Sequence, residues 1–451
     1  MKTQEKSTGY VLMMDVSGSM SQSLEQVKIN ACSFISLSYK GDQFGVNQFS
    51  DDAKWVYPTG SDPAIVTVSA SGNSPEIIAA SEEISKVKIR NMTNIGSAIE
   101  LGNKMIVQSD ADLKAFILLS DGEHNKGTSP EMVLGENPPL YVVGLGPYLQ
   151  RSNFDKLLKK NPHSNYYHRY SASEMMEVFN DIRALVPGVD LLANHTETYI
   201  NRNIYPTELF VTTQTGEAQL SIVWSDKKFA YTSGDASGYL IQVFLINPDG
   251  NKLFPRPARE GDGYCIFNLS NITPGKWTVC CSYNNPVSCK CTVGGFQFGS
   301  TTAMEIDAPA VLKAGDPLSY QVAVKKDGKY MNDLQVEVRI TQPAISVENA
   351  LLKYAHEISA LGDALETDGA ADTSVSISKL QHLREQQFVN GDILGEKSFL
   401  QKPAYANGYY VGKVADTSQA GSYTLKIKVH YRDPETGVEG FICRSRSILV
   451  G

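Results

Sequence analysis

Apolar runs and amphipathic stretches alternate through residues 1–188. Tyr10 to Met14 is an unbroken apolar run that stops at Asp15, Ser17, Gly18 and Ser19. Such a run reads as a strand covered on both faces that opens into a polar loop. Ser21 to Tyr39 places Leu24, Val27, Ala31, Phe34 and Ile35 near a period of about 3.6 residues, which predicts an amphipathic helix. Phe44–Ser50 and Ala53–Tyr57 read as a strand pair, Ile77–Ile89 and Asn94–Val107 as helices, and Ala115–Gly122 as a second buried strand ending in Asp121. A short helix near Pro130–Leu134, a strand Leu140–Leu145, a helix Ser152–Lys160, a strand Tyr166–Tyr170 and a helix Ser173–Leu185 complete the series. Alternating strands and helices predict a mostly parallel sheet covered on both faces, a doubly wound α/β arrangement.

After Pro187-Gly188 the pattern changes to short β-rich runs separated by Gly, Pro, Asn and Asp: Tyr199–Asn203, Glu208–Thr212, Ala218–Trp224, Tyr239–Asn247, Tyr264–Asn268, Trp277–Tyr283 and Cys289–Val293. Asp249-Gly250 suits a hairpin turn, because this pair readily takes positive φ. A third region repeats the signature at Ala310–Lys313, Leu318–Lys325, Leu334–Thr341, Tyr409–Val414 and Tyr423–Tyr431. It is interrupted by helix-like Glu348–Leu365 and Ile377–Gln387 around the loop-like Thr367–Ser374. The expectation is an α/β domain over 1–188, a β-sandwich over 189–298, and a β-sandwich over 299–451 with a helical insertion at about 345–388.

The chain of 451 residues is 42% hydrophobic and 20% charged, a globular composition too long for one core. A net charge of -8 argues against nucleic-acid binding, which needs a basic face. No apolar stretch is long enough for a membrane-spanning helix. The N-terminus lacks the apolar core of a signal peptide, so the sequence as written predicts a cytoplasmic protein, or an extracellular one if a signal peptide has been removed.

The carboxylate of Asp15 and the hydroxyls of Ser17 and Ser19, at alternate positions around Gly18, suit a small hard cation. Gly18 is expected to permit a tight reversal. The alternative is that Asp15 and Ser17 cap the following helix. Met92-Thr93-Asn94-Ile95-Gly96-Ser97-Ala98-Ile99 and the run ending in Asp121 add two further loops. Together these motifs resemble the von Willebrand factor A domain and its metal-ion-dependent adhesion site, D-x-S-x-S with a later Thr and a later Asp. The phrase at Gly41–Ser50 is also close to that family's.

The resemblance implies a Rossmann-like fold over 1–188 and a metal site formed by Asp15, Ser17, Ser19, Thr93 and Asp121. An all-oxygen shell of this kind favours Mg²⁺, with Mn²⁺ or Ca²⁺ as alternatives. It further implies adhesion or interaction with a protein that presents Asp or Glu to the metal, with Gly122, Glu123, His124 and Asn125 at the rim. His124 itself reads as a loop residue and not as a ligand. The other expectation is a structural or assembly subunit that uses the same loops for self-association or interdomain contact. The phrases at Pro274–Val279 and Ala420–Leu425, and the domain order, look like the calcium-activated chloride channel regulator family and its bacterial relatives. That family's zinc-protease domain has no counterpart in this sequence.

Catalytic motifs lack their context. There is no Walker loop, His356-Glu357 is followed by Ala360 where a zinc protease needs a second histidine, and Gly144-Leu145-Gly146 lacks a third glycine. The expectation is that the protein is not an enzyme. Five of seven cysteines, Cys265, Cys280, Cys281, Cys289 and Cys291, crowd into one stretch; the remaining two, Cys32 and Cys443, fall in the first helix and near the last strand. Buried reduced thiols are the preferred reading, with a disulfide from Cys281 to Cys289 or Cys291, or part of a zinc site, as alternatives. Sequons at Asn91, Asn194, Asn268 and Asn271 read as chance matches unless a eukaryote secretes the protein.

Overall fold

The computed structural model describes residues 7–451 except 61, 121–123, 137, 146–150, 162–163, 170–171, 201–202, 214–215, 225–229, 232–239, 346–348, 350–351, 354, 357–395 and 435. The expected helical insertion therefore falls almost wholly outside the described residues.

The first sheet is built from β1 (Thr8–Asp15), β2 (Gln43–Phe49), β3 (Ala53–Tyr57), β4 (Val66–Thr67), β5 (Leu113–Ser120), β6 (Leu140–Leu145) and β7 (Asn165–Arg169). Its order is β3-β2-β1-β5-β6-β7, with β4 also pairing β2. The β2-β1-β5-β6-β7 ladder is parallel throughout, whereas β3 and β4 run antiparallel to β2. One face carries α1 (Leu24–Ile35), α2 (Pro75–Ser85) and, later in the chain, α6 (Met175–Arg183). The other carries α3 (Ile95–Ile106), the short α4 (Pro130–Val133) and α5 (Arg151–Lys160). Alternate residues of β1 feed the two cores, Leu12 and Met14 into one and Val11 and Met13 into the other. That two-sided burial explains why its sequence is continuously apolar. The chain reverses its direction of travel across the sheet between β1 and β5, so the gap beyond their carboxyl ends is where this architecture holds ligands.

The strands that follow are β8 (Val189–Tyr199), β9 (Asn203–Val211), β10 (Glu217–Trp224), β11 (Ala230–Tyr231), β12 (Leu240–Ile246), β13 (Lys252–Leu253), β14 (Arg259–Gly261), β15 (Tyr264–Ser270), β16 (Gly275–Asn284) and β17 (Cys289–Phe298). They form one sheet ordered β14-β15-β10-β17-β8 and another ordered β11-β12-β16-β9. A shared core with Leu220, Trp224, Val243, Phe267 and Trp277 lies between them. Then come β18 (Thr302–Asp307), β19 (Val311–Leu312), β20 (Leu318–Lys326), β21 (Lys329–Tyr330), β22 (Gln335–Pro343), β23 (Glu396–Gln401), β24 (Ala404–Ala406), β25 (Tyr409–Val414), β26 (Gly421–Arg432) and β27 (Glu439–Val450). These form sheets ordered β18-β20-β25-β24 and β19-β27-β26-β22-β23, again over a common core.

Several expectations are corrected. Tyr199 and Asn203, expected in one strand, are the last residue of β8 and the first of β9, and β8 extends back to Val189. The sequence hides β8 because it does not alternate: Val189 to Ala193 are buried without a break and the polar half follows. The sheet containing β8 is also buried on its outer face. Leu191, Val223, Ile266 and Phe296 on its outer face join the core under α1 and α6.

All seven cysteines carry free thiols. Cys281, on β16, and Cys289 and Cys291, on β17, point into the core between the sheets together with Cys265, whereas Cys280 takes the opposite side of β16. Burial pushes the Cys281 thiol up to about 12, so it stays protonated and unreactive at neutral pH. The Asn194 side chain donates to the Glu177 carbonyl and accepts from Asn180, a use that accounts for this residue without a glycan.

Candidate functional site

Asp15 ends β1 and is fully buried. One carboxylate oxygen accepts the Ser17 N–H at 2.9 Å, and the other accepts the Ser120 hydroxyl at 2.6 Å from the end of the neighbouring β5. The Ser17 and Ser19 hydroxyl oxygens lie 3.1 Å apart. Two oxygens sharing an edge of an octahedron around Mg²⁺, with bonds of about 2.0–2.1 Å, are about 3 Å apart. In this structure the two hydroxyls are hydrogen-bonded to each other, at a spacing that a hard cation could also bridge.

The chain reverses here as a 3-10 turn over Gly18–Gln22, closed by Met20 N–H on the Ser17 carbonyl at 3.1 Å. Gly18 opens this turn, so the tight reversal is a helical one, and its N–H reaches the Asn91 carbonyl at 3.1 Å. Capping does not explain the motif, because the Ser17 side chain makes no cap bond to this turn and α1 begins after Ser23.

The second loop is tied to both neighbours. Arg90 N–H donates to the Val16 carbonyl at 2.7 Å, and Asn94 N–H to the Ser50 carbonyl at 2.8 Å. Thr93 is 2% exposed, so its hydroxyl belongs to the loop interior and not to a solvated rim. Its N–H donates to Asn125 Oδ1 at 2.8 Å, and Asn125 N–H returns to the Thr93 carbonyl at 3.1 Å. Asn94 then caps α3 by accepting the Ser97 N–H at 3.0 Å.

The structure thus places Asp15, Ser17 and Ser19 on one loop and Thr93 on a second that is hydrogen-bonded to it. Asp121, Gly122 and Glu123 lie outside the described residues. Among the described residues no group of three or more His, Cys, Asp or Glu side chains is placed to hold a metal ion. His124 turns inward, its Nδ1 accepting the Ile95 N–H at 3.3 Å, and burial holds its pKa below the usual imidazole range. Ser120 was not singled out by the sequence; its position at the end of a strand next to β1 is the signal that would have found it.

Gly96 shows how closely the loops approach, since a Cβ there would run into the Thr128 backbone carbonyl. Gly96→Ala is expected to destabilise the protein by about 1–3 kcal/mol through overpacking, despite alanine's better helix propensity. A melting temperature at or above that of the parent would show that the third loop yields freely.

Residues 10–124 match the family model of the von Willebrand factor type A domain. No curated protein matches the chain. Among solved structures, it is similar to a von Willebrand factor type A protein from Catenulispora acidiphila, at 15% identity over 72% of this chain and 64% of that one, with a TM-score of 0.36. It is also similar to the ArnB paralog VWA2 from Sulfolobus acidocaldarius, at 16% identity over 72% and 64%, with a TM-score of 0.30. A third is the vWF domain of the type V pili tip protein Mfa5 from Porphyromonas gingivalis, at 13% identity over 27% and 39%, with a TM-score of 0.21. This chain spans less than two thirds of the length of each of the three.

Proposed function

We propose that this chain, which carries a von Willebrand factor type A domain over residues 10–124, is a non-enzymatic module that binds a protein partner at the carboxyl pole of its parallel sheet. In this reading a divalent cation, Mg²⁺ first among candidates, is held by Asp15, Ser17, Ser19, Thr93 and Asp121. The observation that carries it is the buried Asp15 carboxylate beside two hydroxyls 3.1 Å apart, on loops cross-linked through Asn91 and Asn125. When bound, the cation would supply a Lewis-acidic position for a carboxylate oxygen of the partner.

The chain's own residues prepare that position. Asp15 fixes the Ser17 amide and the Ser120 hydroxyl, and Thr93 is fixed by Asn125. Ser17 and Thr93 therefore need little reordering on binding, which limits the entropy lost. The β-rich units over 189–298 and 299–451 serve in this reading as a mount that holds the α/β unit.

Proteins retained by the immobilised full chain in Mg²⁺ are expected to elute in excess EDTA and to be absent from an Asp15→Ala column. Retention in EDTA would sink the reading. Size-exclusion chromatography with and without Mg²⁺ separates it from self-association, which predicts a metal-dependent increase in mass.

A further inference from the structure

The stretch from Val87 to Met92, which leads from α2 into the loop that carries Thr93, is neither helix nor strand. Its side chains alternate as in an extended segment. Val87 is buried and Ile89 packs against the core beneath α1 and α2, whereas Lys88 and Arg90 are exposed. Residues two apart in an extended chain share a side, with a repeat of about 6.6 Å. The end of the stretch is bonded to the first loop, Arg90 N–H to the Val16 carbonyl and Gly18 N–H to the Asn91 carbonyl. Two outward cations therefore lead up to the loop of Ser17 and Ser19, and the three residues from Arg90 to Thr93 span at most about 11 Å.

The charges around them are otherwise matched. Lys86 pairs with Glu83 at 2.7 Å, Lys28 with Glu25 at 2.9 Å, and Lys126 with Asp51 at 3.0 Å. Lys88 and Arg90 have no carboxylate within ion-pair distance among the described residues. Asp51 and the exposed Asp52 belong to the turn between β2 and β3, which bonds the second loop on the other side of Thr93, at Asn94. In a chain of net charge -8, this local positive stripe favours an anion. Two cations do not make the broad basic face that nucleic acid requires. An extended acidic peptide fits better, because its own side chains recur on one side at the same repeat of about 6.6 Å.

Resting on the metal-dependent reading above, we infer that the partner offers its metal-binding carboxylate from an extended acidic segment, whose next carboxylates on that side pair with Arg90 and then Lys88. The cation fixes one position, and the two side chains set the direction in which the segment leaves it.

The test is calorimetric titration of the full chain in Mg²⁺ at low ionic strength with two blocked glycine-rich peptides. One carries glutamate at three alternate positions and the other a single glutamate. The first is expected to bind about tenfold tighter; about threefold is statistical, since three carboxylates compete for one cation, and the rest comes from two exposed ion pairs. The double variant Lys88→Gln with Arg90→Gln is expected to lower the ratio to about threefold. Salt at about 0.5 M should do the same to the parent, because exposed pairs are screened, and this arm decides if the variant fails to fold. A ratio that neither the variant nor salt lowers overturns the inference. So does failure of both peptides to bind a parent that takes up Mg²⁺, or tighter binding of a thymidine oligonucleotide of equal charge. Mg²⁺ titration of the parent separates the two failures: no uptake removes the metal-dependent reading and this inference with it, whereas uptake with an unchanged ratio removes this inference alone.

Discussion

Asp15→Ala is expected to abolish saturable binding of Mg²⁺, Mn²⁺ and Ca²⁺, measured by isothermal titration of the metal-free full chain. The size of the effect follows from the site's composition. Among the described donors Asp15 is the only carboxylate, and Ser17, Ser19 and Thr93 contribute neutral oxygens. Neutral hydroxyls alone compete poorly with water for a cation that dehydrates reluctantly. A thermal readout checks the same point. Metal at a hundredfold excess over its dissociation constant stabilises a protein that binds it when folded by about 2.7 kcal/mol.

The parent should therefore melt higher in Mg²⁺, and Asp15→Ala should melt at the same temperature with and without it. In the metal-free state the variant loses the acceptor for Ser17 N–H and Ser120 O–H but no longer buries a carboxylate, so its own stability should change less than its metal response. Equal stabilisation of parent and variant by Mg²⁺ would place the binding elsewhere. Failure of both to bind would leave a scaffold without a cation, and the function would have to be sought in the β units.

The second large effect concerns pH. Asp181 on α6 is 1% exposed and receives the Ser445 N–H at 3.0 Å and the Ser445 hydroxyl from β27. Burial dominates, and pushes its carboxyl up from 3.8 to about 6, against the pull of Ser445, Arg169 and Arg444. The cluster around it contains further charges. Arg169 reaches Glu177 at 3.4 Å, Lys426 on β26 reaches the same carboxylate at 2.7 Å, and Lys426 together with Arg169 holds Glu177 below the usual carboxylate range.

For Asp181 the folded state favours the protonated form. Its contribution is fully present below the ordinary carboxylate value and is lost as pH rises through about 6. A shift of this size corresponds to a loss on the order of 3 kcal/mol across that window. Asp181→Asn keeps an acceptor for the Ser445 amide and removes the titration. Denaturant unfolding at several pH values should show the parent weakening between about pH 4 and 6 relative to the variant, and a pH-independent difference between the two would refute the assignment. Glu177 has the opposite sign and limits the net slope: its lowered pKa adds stability above the ordinary carboxylate range that is lost on acidification.

Most of the parallel sheet was legible because its code is local. The apolar run of β1 meets polar residues at the point where the strand leaves the two cores, and the periods of α1 and α3 match the faces that they bury. The polar residues after β1 and before α3 could likewise be expected at one pole, since strand ends in this architecture converge there. Ser120 was missed because serine at a strand end has no distinctive pattern, and its value arises only from standing beside Asp15. The tight reversal expected at Gly18 is there, and takes the form of a 3-10 turn.

The last strand shows where reading by pattern stops. In β27, Ser445 and Ser447 are polar and buried, so alternation gives no outward face. Their partners are Asp181 and the His168 N–H, more than 260 residues earlier in the chain. What the sequence by itself determined is therefore the set of elements whose burial is dictated by their own periodicity, together with the grouping of Asp15, Ser17, Ser19 and Thr93 that their loops impose. Only the tertiary structure decided that the sheet containing β8 is covered on both sides, that β26 and β27 dock on the buried Glu177 and Asp181 of α6, and that Arg183 lines a cleft at the far pole. The physical reason is that desolvation is a property of the assembled neighbourhood: a polar residue costs nothing to leave in water, and whether it is buried depends on partners that no local window contains.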